Sequence, residues 1–165
     1  MSRWFRTYGF QEVYDELVVG AVPTDEDDVA ALQFIGIDTV LNLVEDEEYR
    51  RGAHELVSAA YETAGIEEHR LSLTDYGHLP AAALDDAVAL VNPWLDDGRM
   101  TYIHCRAGWQ RSAAVAAAVV ATRQQLDIDQ AVRLVRSRKP SADPLPHQRE
   151  DLRRWWQARQ HADAS

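Results

Sequence analysis

Residues 100–125 read MTYIHCRAGWQRSAAVAAAVVATRQQ, and this stretch decides the fold. Met100 to His104 is a short run of strand formers. Ser112 to Gln125 is rich in alanine and reads as a strong helix. Between them the chain turns through HCRAGWQRS, His104 to Ser112. This loop holds the only cysteine, Cys105, with five residues between it and Arg111 and with Gly108 midway. A strand running through so short a loop into a helix is the joint of an α/β unit.

Outward from this joint the pattern repeats. Glu12 to Val22 mixes Val, Tyr and Leu up to Gly20 and Pro23, and predicts a hairpin of short strands. Thr24 is placed to cap a helix ending near Gly36, with Asp27 as its capping-box partner. Ile37 to Val44 predicts a buried strand. Asp46 to Ala64 predicts a helix closed by Gly65, and Ile66 to Leu73 another strand. A loop from Thr74 to Leu79 leads to Pro80, a first-turn residue for a helix reaching about Leu95. Asp127 or Asp129 caps the next helix, which ends before Pro140. The turn PSADPLP then leads into a last helix near His147 to His161. Strands alternating with helices predict an α/β fold, a twisted and mostly parallel central sheet flanked by helices. The expected organisation is one domain over residues 1–165, with its core at about 12–160. Ligands in such folds bind beyond the carboxyl ends of the strands, which is where Cys105 falls.

Sixteen arginines and one lysine, Lys139, stand against 27 acidic residues, a net charge of −10. That field repels nucleic acid and anionic surfaces, so no nucleic-acid partner is expected. Salt adaptation and the acidic bias of a GC-rich genome account for the charge equally well. The opening MSRWFRTYGF lacks the apolar stretch of a signal peptide, and Ala113 to Ala121 is too short to span a bilayer. No membrane span and a cytoplasmic location are the expectations. A single cysteine forms no internal disulfide. Reversible oxidation of Cys105 would lead to a sulfenic acid, a sulfenamide or a mixed disulfide.

The loop chemistry suits a phosphate monoester. Residues Arg106, Ala107, Gly108, Trp109 and Gln110 can aim backbone N–H groups at the oxygens of a bound anion. Gly108 permits the positive φ that such a curl requires. Arg111 brings a planar fork that matches two oxygens. A helix N-terminus and a guanidinium both favour a thiolate at Cys105. Ser112 can reach the sulfur and stabilise it as a leaving group. His104 reads as a residue that fixes the loop by hydrogen bonds, not as a base.

HCRAGWQRS resembles the signature loop of cysteine-dependent phosphatases, in the dual-specificity branch of the protein tyrosine phosphatase superfamily. The order of segments from about Glu12 to Trp156 is similar to that compact domain. The resemblance implies that Cys105 is the nucleophile and becomes a phosphocysteine. It implies that Arg111 binds phosphate and stabilises the transition state, and that neither metal nor cofactor takes part. Expulsion of an alkoxide or phenoxide calls for an acid on a neighbouring loop. Asp75, in LTDYGHLP and thirty residues before Cys105, sits in such a loop, at a distance similar to that in the family.

The resemblance implies a phosphorylated substrate, either a protein or a small phosphate ester. A phosphoprotein phosphatase acting on phosphotyrosine, and on phosphoserine or phosphothreonine, is the leading expectation. A phospholipid, inositol or small-metabolite phosphatase of the same chemistry is the alternative. A phosphate-binding module without turnover and a rhodanese-like sulfur carrier are further readings. Trp109 offers either an aromatic wall to the pocket or a packing residue. One of Trp155 and Trp156 is expected in the core and the other outside. His147 and Gln148 receive no role beyond a helix start, and the sequence does not indicate an oligomeric state.

Overall fold

The alternation of the short strands sets the architecture. In a strand, neighbouring side chains point to opposite faces. Leu17 and Val19 face one core while Val18 faces the other; Leu41 and Val40 divide in the same way, as do Ile103 and Tyr102. The computed structural model describes every residue, Met1 to Ser165. It shows five strands: β1 (Phe10–Tyr14), β2 (Leu17–Gly20), β3 (Thr39–Asn42), β4 (Glu67–Arg70) and β5 (Thr101–His104). Their spatial order is β1-β2-β5-β3-β4. The β1–β2 hairpin is antiparallel, and the other pairings are parallel. The expected mostly parallel sheet is present.

Register brings the strand ends together. His104 pairs with Gly20 on one side and with Asn42 on the other, so β2, β3 and β5 finish on one line. Cys105 leaves the sheet at the middle of that line.

Helices cover both faces. On one side lie α1 (Arg3–Tyr8), α2 (Glu26–Phe34) and α3 (Ala53–Ala64), which contribute Phe5, Leu32 and Tyr61 to the smaller core. On the other lie α4 (Ala81–Asp96), α5 (Arg111–Gln124), α6 (Ile128–Arg138) and α7 (Pro146–Asp163). Helix α5 is buried without a break from Arg111 to Ala121. Its alanines follow from that position, because a helix enclosed by the sheet and by α4, α6 and α7 leaves no room for long side chains. No helix is long and apolar enough to cross a membrane.

Several expectations need correction. The helix expected from Asp46 to Ala64 is split into a single 3₁₀ turn, Asp46–Glu48, and α3. Gly52 stands between them with φ +80°, a left-handed conformation that no helix continues through. The cap of α2 is Asp25, which accepts from Asp28 N–H, while Thr24 donates to the Asp28 carboxylate. Asp127 caps α6, which settles the choice between Asp127 and Asp129. Trp155 and Trp156 are both buried, at 4% and 6% exposure. The Trp155 indole N–H donates to Asp85 Oδ1, and the Trp156 ring packs beside it with centroids 5.9 Å apart, so neither is left outside.

Candidate active site

The loop after β5 is held from outside by its carbonyls. Val22 N–H and the Trp4 indole N–H both donate to the Arg106 carbonyl, at 3.1 and 2.7 Å. Asp143 N–H donates to the Trp109 carbonyl at 2.6 Å. His104 Nδ1 lies 3.2 Å from the Cys105 carbonyl and must carry the proton to bond it. The N–H groups of Arg106 to Gln110 donate to no protein acceptor. Five successive N–H groups without a protein acceptor, beside a cysteine and at one cavity, form an anion-binding concavity.

Two glycines make the curl possible. Gly108 has φ +76°, and a Cβ there would stand 2.5 Å from the Gly20 carbonyl carbon. A Cβ on Gly20 would in turn meet the Tyr102 hydroxyl at 2.5 Å. The loop therefore lies directly on the end of β2, with no side chain between.

Cys105 is 3% exposed, and its Sγ is 3.2 Å from Ser112 Oγ. The sulfur and the hydroxyl are neighbours, as the sequence suggested. His104 is fully buried, and burial pushes its pKa down to about 4. It is neutral near pH 7, and with so low a pKa it is a poor proton acceptor.

Arg111 is fixed by more than its own loop. Its Nη1 donates to Glu48 Oε2 at 2.8 Å and to the Leu73 carbonyl at 2.9 Å. Its Nη2 donates to Glu48 Oε1 at 2.7 Å, a bidentate pair, and lies 3.2 Å from Asp75 Oδ1. Burial is the largest single influence on the Glu48 carboxyl and raises it, but the Arg111 hydrogen bond, the Glu45 N–H and the charges of Arg111 and Arg106 together hold the group below the ordinary glutamate range. Arg111 Nε is buried and has no protein acceptor.

Asp75 joins Cys105 and Arg111 in lining a cavity of about 210 Å³. Aromatic rings form its walls. Trp4 and Tyr8 stand 4.4 Å apart, and Trp109 meets Tyr8 edge-on at 5.2 Å. Trp109 thus does both things expected of it, packing on one ring and walling the pocket.

The loop carrying Asp75 is fastened to α7. His147 Nε2 donates to the Tyr76 carbonyl at 2.8 Å, and Gln148 donates to that of Gly77 at 3.1 Å. Asp151 accepts from Leu79 N–H at 2.8 Å and lies 2.9 Å from His78 Nδ1. Sequence reasoning missed Glu48 and Asp151 and gave His147 and Gln148 no task. Glu48 is hidden in the acidic run EDEEY, which resembles an ordinary helix start. The α7 residues carried one signal, their place directly after a proline-rich turn.

A family model described as "Dual specificity phosphatase, catalytic domain" matches residues 18–158. The chain belongs to that family. The matched region is a catalytic domain of the cysteine-dependent, dual-specificity phosphatase type. Among curated proteins this phosphatase domain is 28% identical to phosphatidylglycerophosphate phosphatase PTPMT2 of Arabidopsis thaliana, over 89% of the chain and 60% of that protein. It is 27% identical to the phosphatidylglycerophosphate phosphatase PTPMT1 of the same plant, over 84% of the chain and 38% of that protein. It is also 27% identical to protein tyrosine phosphatase domain-containing protein 1 of Mus musculus, over 67% of the chain and 16% of that protein. The phosphatase domain therefore spans less than two thirds of each of these relatives. Its fold matches PTPMT1 in complex with PI(5)P, with a TM-score of 0.82 at 24% identity, covering 94% of this chain and 99% of that one. It also matches human DUSP28, with a TM-score of 0.74 at 21% identity, covering 92% and 99%.

Proposed function

We propose that this phosphatase domain hydrolyses phosphate monoesters in two steps on Cys105. The observation that carries the reading is the set of unused donors around the sulfur: five loop N–H groups and the buried Arg111 Nε. They match the charge of a phosphoryl group passing through its transition state. In the first step the Cys105 thiolate attacks phosphorus. The P–O ester bond breaks, and the protonated Asp75 carboxyl gives its proton to the departing oxygen. In the second step Asp75, now a carboxylate, takes a proton from water. That water attacks phosphorus and the P–S bond breaks, with the Ser112 hydroxyl stabilising the returning thiolate. Inorganic phosphate and the free alcohol are the products.

For the leaving group, two readings each have an observation behind them. The rings of Trp4, Tyr8 and Trp109 around the 210 Å³ cavity suit a phenyl group, which supports a phosphotyrosine-bearing protein. The likeness to two phosphatidylglycerophosphate phosphatases, together with arginines beside the pocket, supports a phospholipid or small polyanionic ester.

The test is hydrolysis of p-nitrophenyl phosphate and of an alkyl phosphate by the wild type and by two variants. Cys105→Ser is expected to lose turnover while still binding tungstate. Asp75→Asn is expected to lower kcat by about 10²-fold for substrates with poor leaving groups. Hydrolysis retained by Cys105→Ser would place the nucleophile elsewhere.

A further inference from the structure

A second cavity, of about 410 Å³, adjoins the catalytic one and shares Trp4 and Arg106 with it. Its wall is built from α1, from the segment after β2 and from the residues between β3 and α3. Most of its polar side chains are already committed. Ser2 and Thr24 bond Asp28; Asp25 caps α2; Glu48 holds Arg111; the Tyr49 hydroxyl accepts from Asn42. Three arginines remain. Arg3, Arg50 and Arg106 make no side-chain hydrogen bond and no ion pair with any carboxylate of the chain. With Glu48 neutralised by Arg111, the wall sets three unpaired guanidinium groups against the one Asp25 carboxylate, a local excess of positive charge in a protein of net charge −10. Arg106 is further ordered by stacking over Trp4, with its Cζ 5.4 Å from the ring centroid.

We infer that this cavity is a subsite for a second phosphate-type anion, carried on the alcohol part of the substrate, with Arg3 and Arg50 as its selecting residues. The inference rests on the phosphatase reading of the Cys105 loop and narrows its substrate class. The monoester to be cleaved enters the loop, and a second anion on the same molecule lies across Trp4 and Arg106 against Arg3 and Arg50. Guanidinium forks are suited to either a phosphodiester or a second monoester.

Kinetics on four substrates test it: p-nitrophenyl phosphate, pentyl phosphate, 1,5-pentanediol bisphosphate and monomeric dioctanoyl phosphatidylglycerophosphate. The enzymes are wild type, Arg3→Glu, Arg50→Glu and the double variant. The wild type is expected to favour at least one of the two substrates bearing a second anion over pentyl phosphate by about tenfold or more in kcat/KM, a preference that fades as salt is raised. Each reversal is expected to remove most of that preference while leaving p-nitrophenyl phosphate turnover within about twofold. A preference for the bisphosphate alone assigns the second anion to a soluble ester. A preference for the lipid alone assigns it to a headgroup diester. Equal kcat/KM for pentyl phosphate and both second-anion substrates would overturn the subsite, as would variants that slow every substrate alike. Failure of the wild type to hydrolyse p-nitrophenyl phosphate would instead strike at the phosphatase reading itself.

Discussion

Replacing His104 with asparagine should flatten the dependence of stability on pH. The imidazole is wholly buried between β5 and the phosphate loop, and its Nε2 has no partner. Burial lowers its pKa from the ordinary 6.5 to about 4. The unfolded chain therefore takes up a proton below about pH 6.5 while the folded chain does not, so folding is penalised as pH falls through that window. The gap of about 2.5 units corresponds to about 3 kcal/mol in all, and about 2 kcal/mol of it is lost between about pH 7.5 and about pH 5. Stability is full above about pH 7.5, and the loss levels off below about pH 4. Asparagine can still donate to the Cys105 carbonyl, so the loop keeps its anchor. Urea unfolding of both proteins across this range is the assay. Acids with lowered pKa values, such as Glu48 and Asp151, titrate in both proteins and cancel in the difference. Curves that run parallel would refute the reasoning, because they would mean that His104 charges as readily folded as unfolded.

Three other perturbations bear on the site, and a fourth, at Gly36, is a control away from it. Glu48→Gln keeps the shape but removes the charge facing Arg111; kcat/KM should fall by about tenfold or more and stability by about 1–3 kcal/mol, read by kinetics and urea unfolding. Gly108→Ala forces a Cβ against Gly20 at φ +76° and should cost more than tenfold in activity. Gly36→Ala, at φ +92° with nothing within 4 Å, should cost only about 1–2 kcal/mol of stability and leave turnover intact. Gln148→Ala loosens the Asp75 loop; kcat should fall more for an alkyl phosphate than for p-nitrophenyl phosphate, whose leaving group needs less help from an acid.

The centre of the sheet was legible because β2, β3 and β5 are short buried runs rich in apolar residues, set between strong punctuation. Gly65 and Gly98 stand close to where helices end, and Pro80 where one begins. The Asp46–Ala64 stretch misled because its acidic, helix-favouring composition says nothing of Gly52 turning left-handed between two elements. Cys105, Arg111 and Ser112 could be read because one loop holds them all, so spacing alone makes them neighbours. Asp75 could be reached by asking what chemistry the loop lacks. Glu48 could not, since its partner is 63 residues away and only the shared edge of β3 and β5 brings them together. The α1 segment was equally silent: Phe5 is buried at 1%, yet six residues of helix leave too little periodicity to read.

The clamp between α7 and the Asp75 loop has a consequence for anyone altering this protein. His147 and the carbonyl it grips are 71 residues apart in sequence. A saturation scan of the final helix will therefore find positions where the protein melts normally and catalyses poorly, though the side chain never meets a ligand. Sorting such a library by abundance alone would keep these variants and discard the explanation.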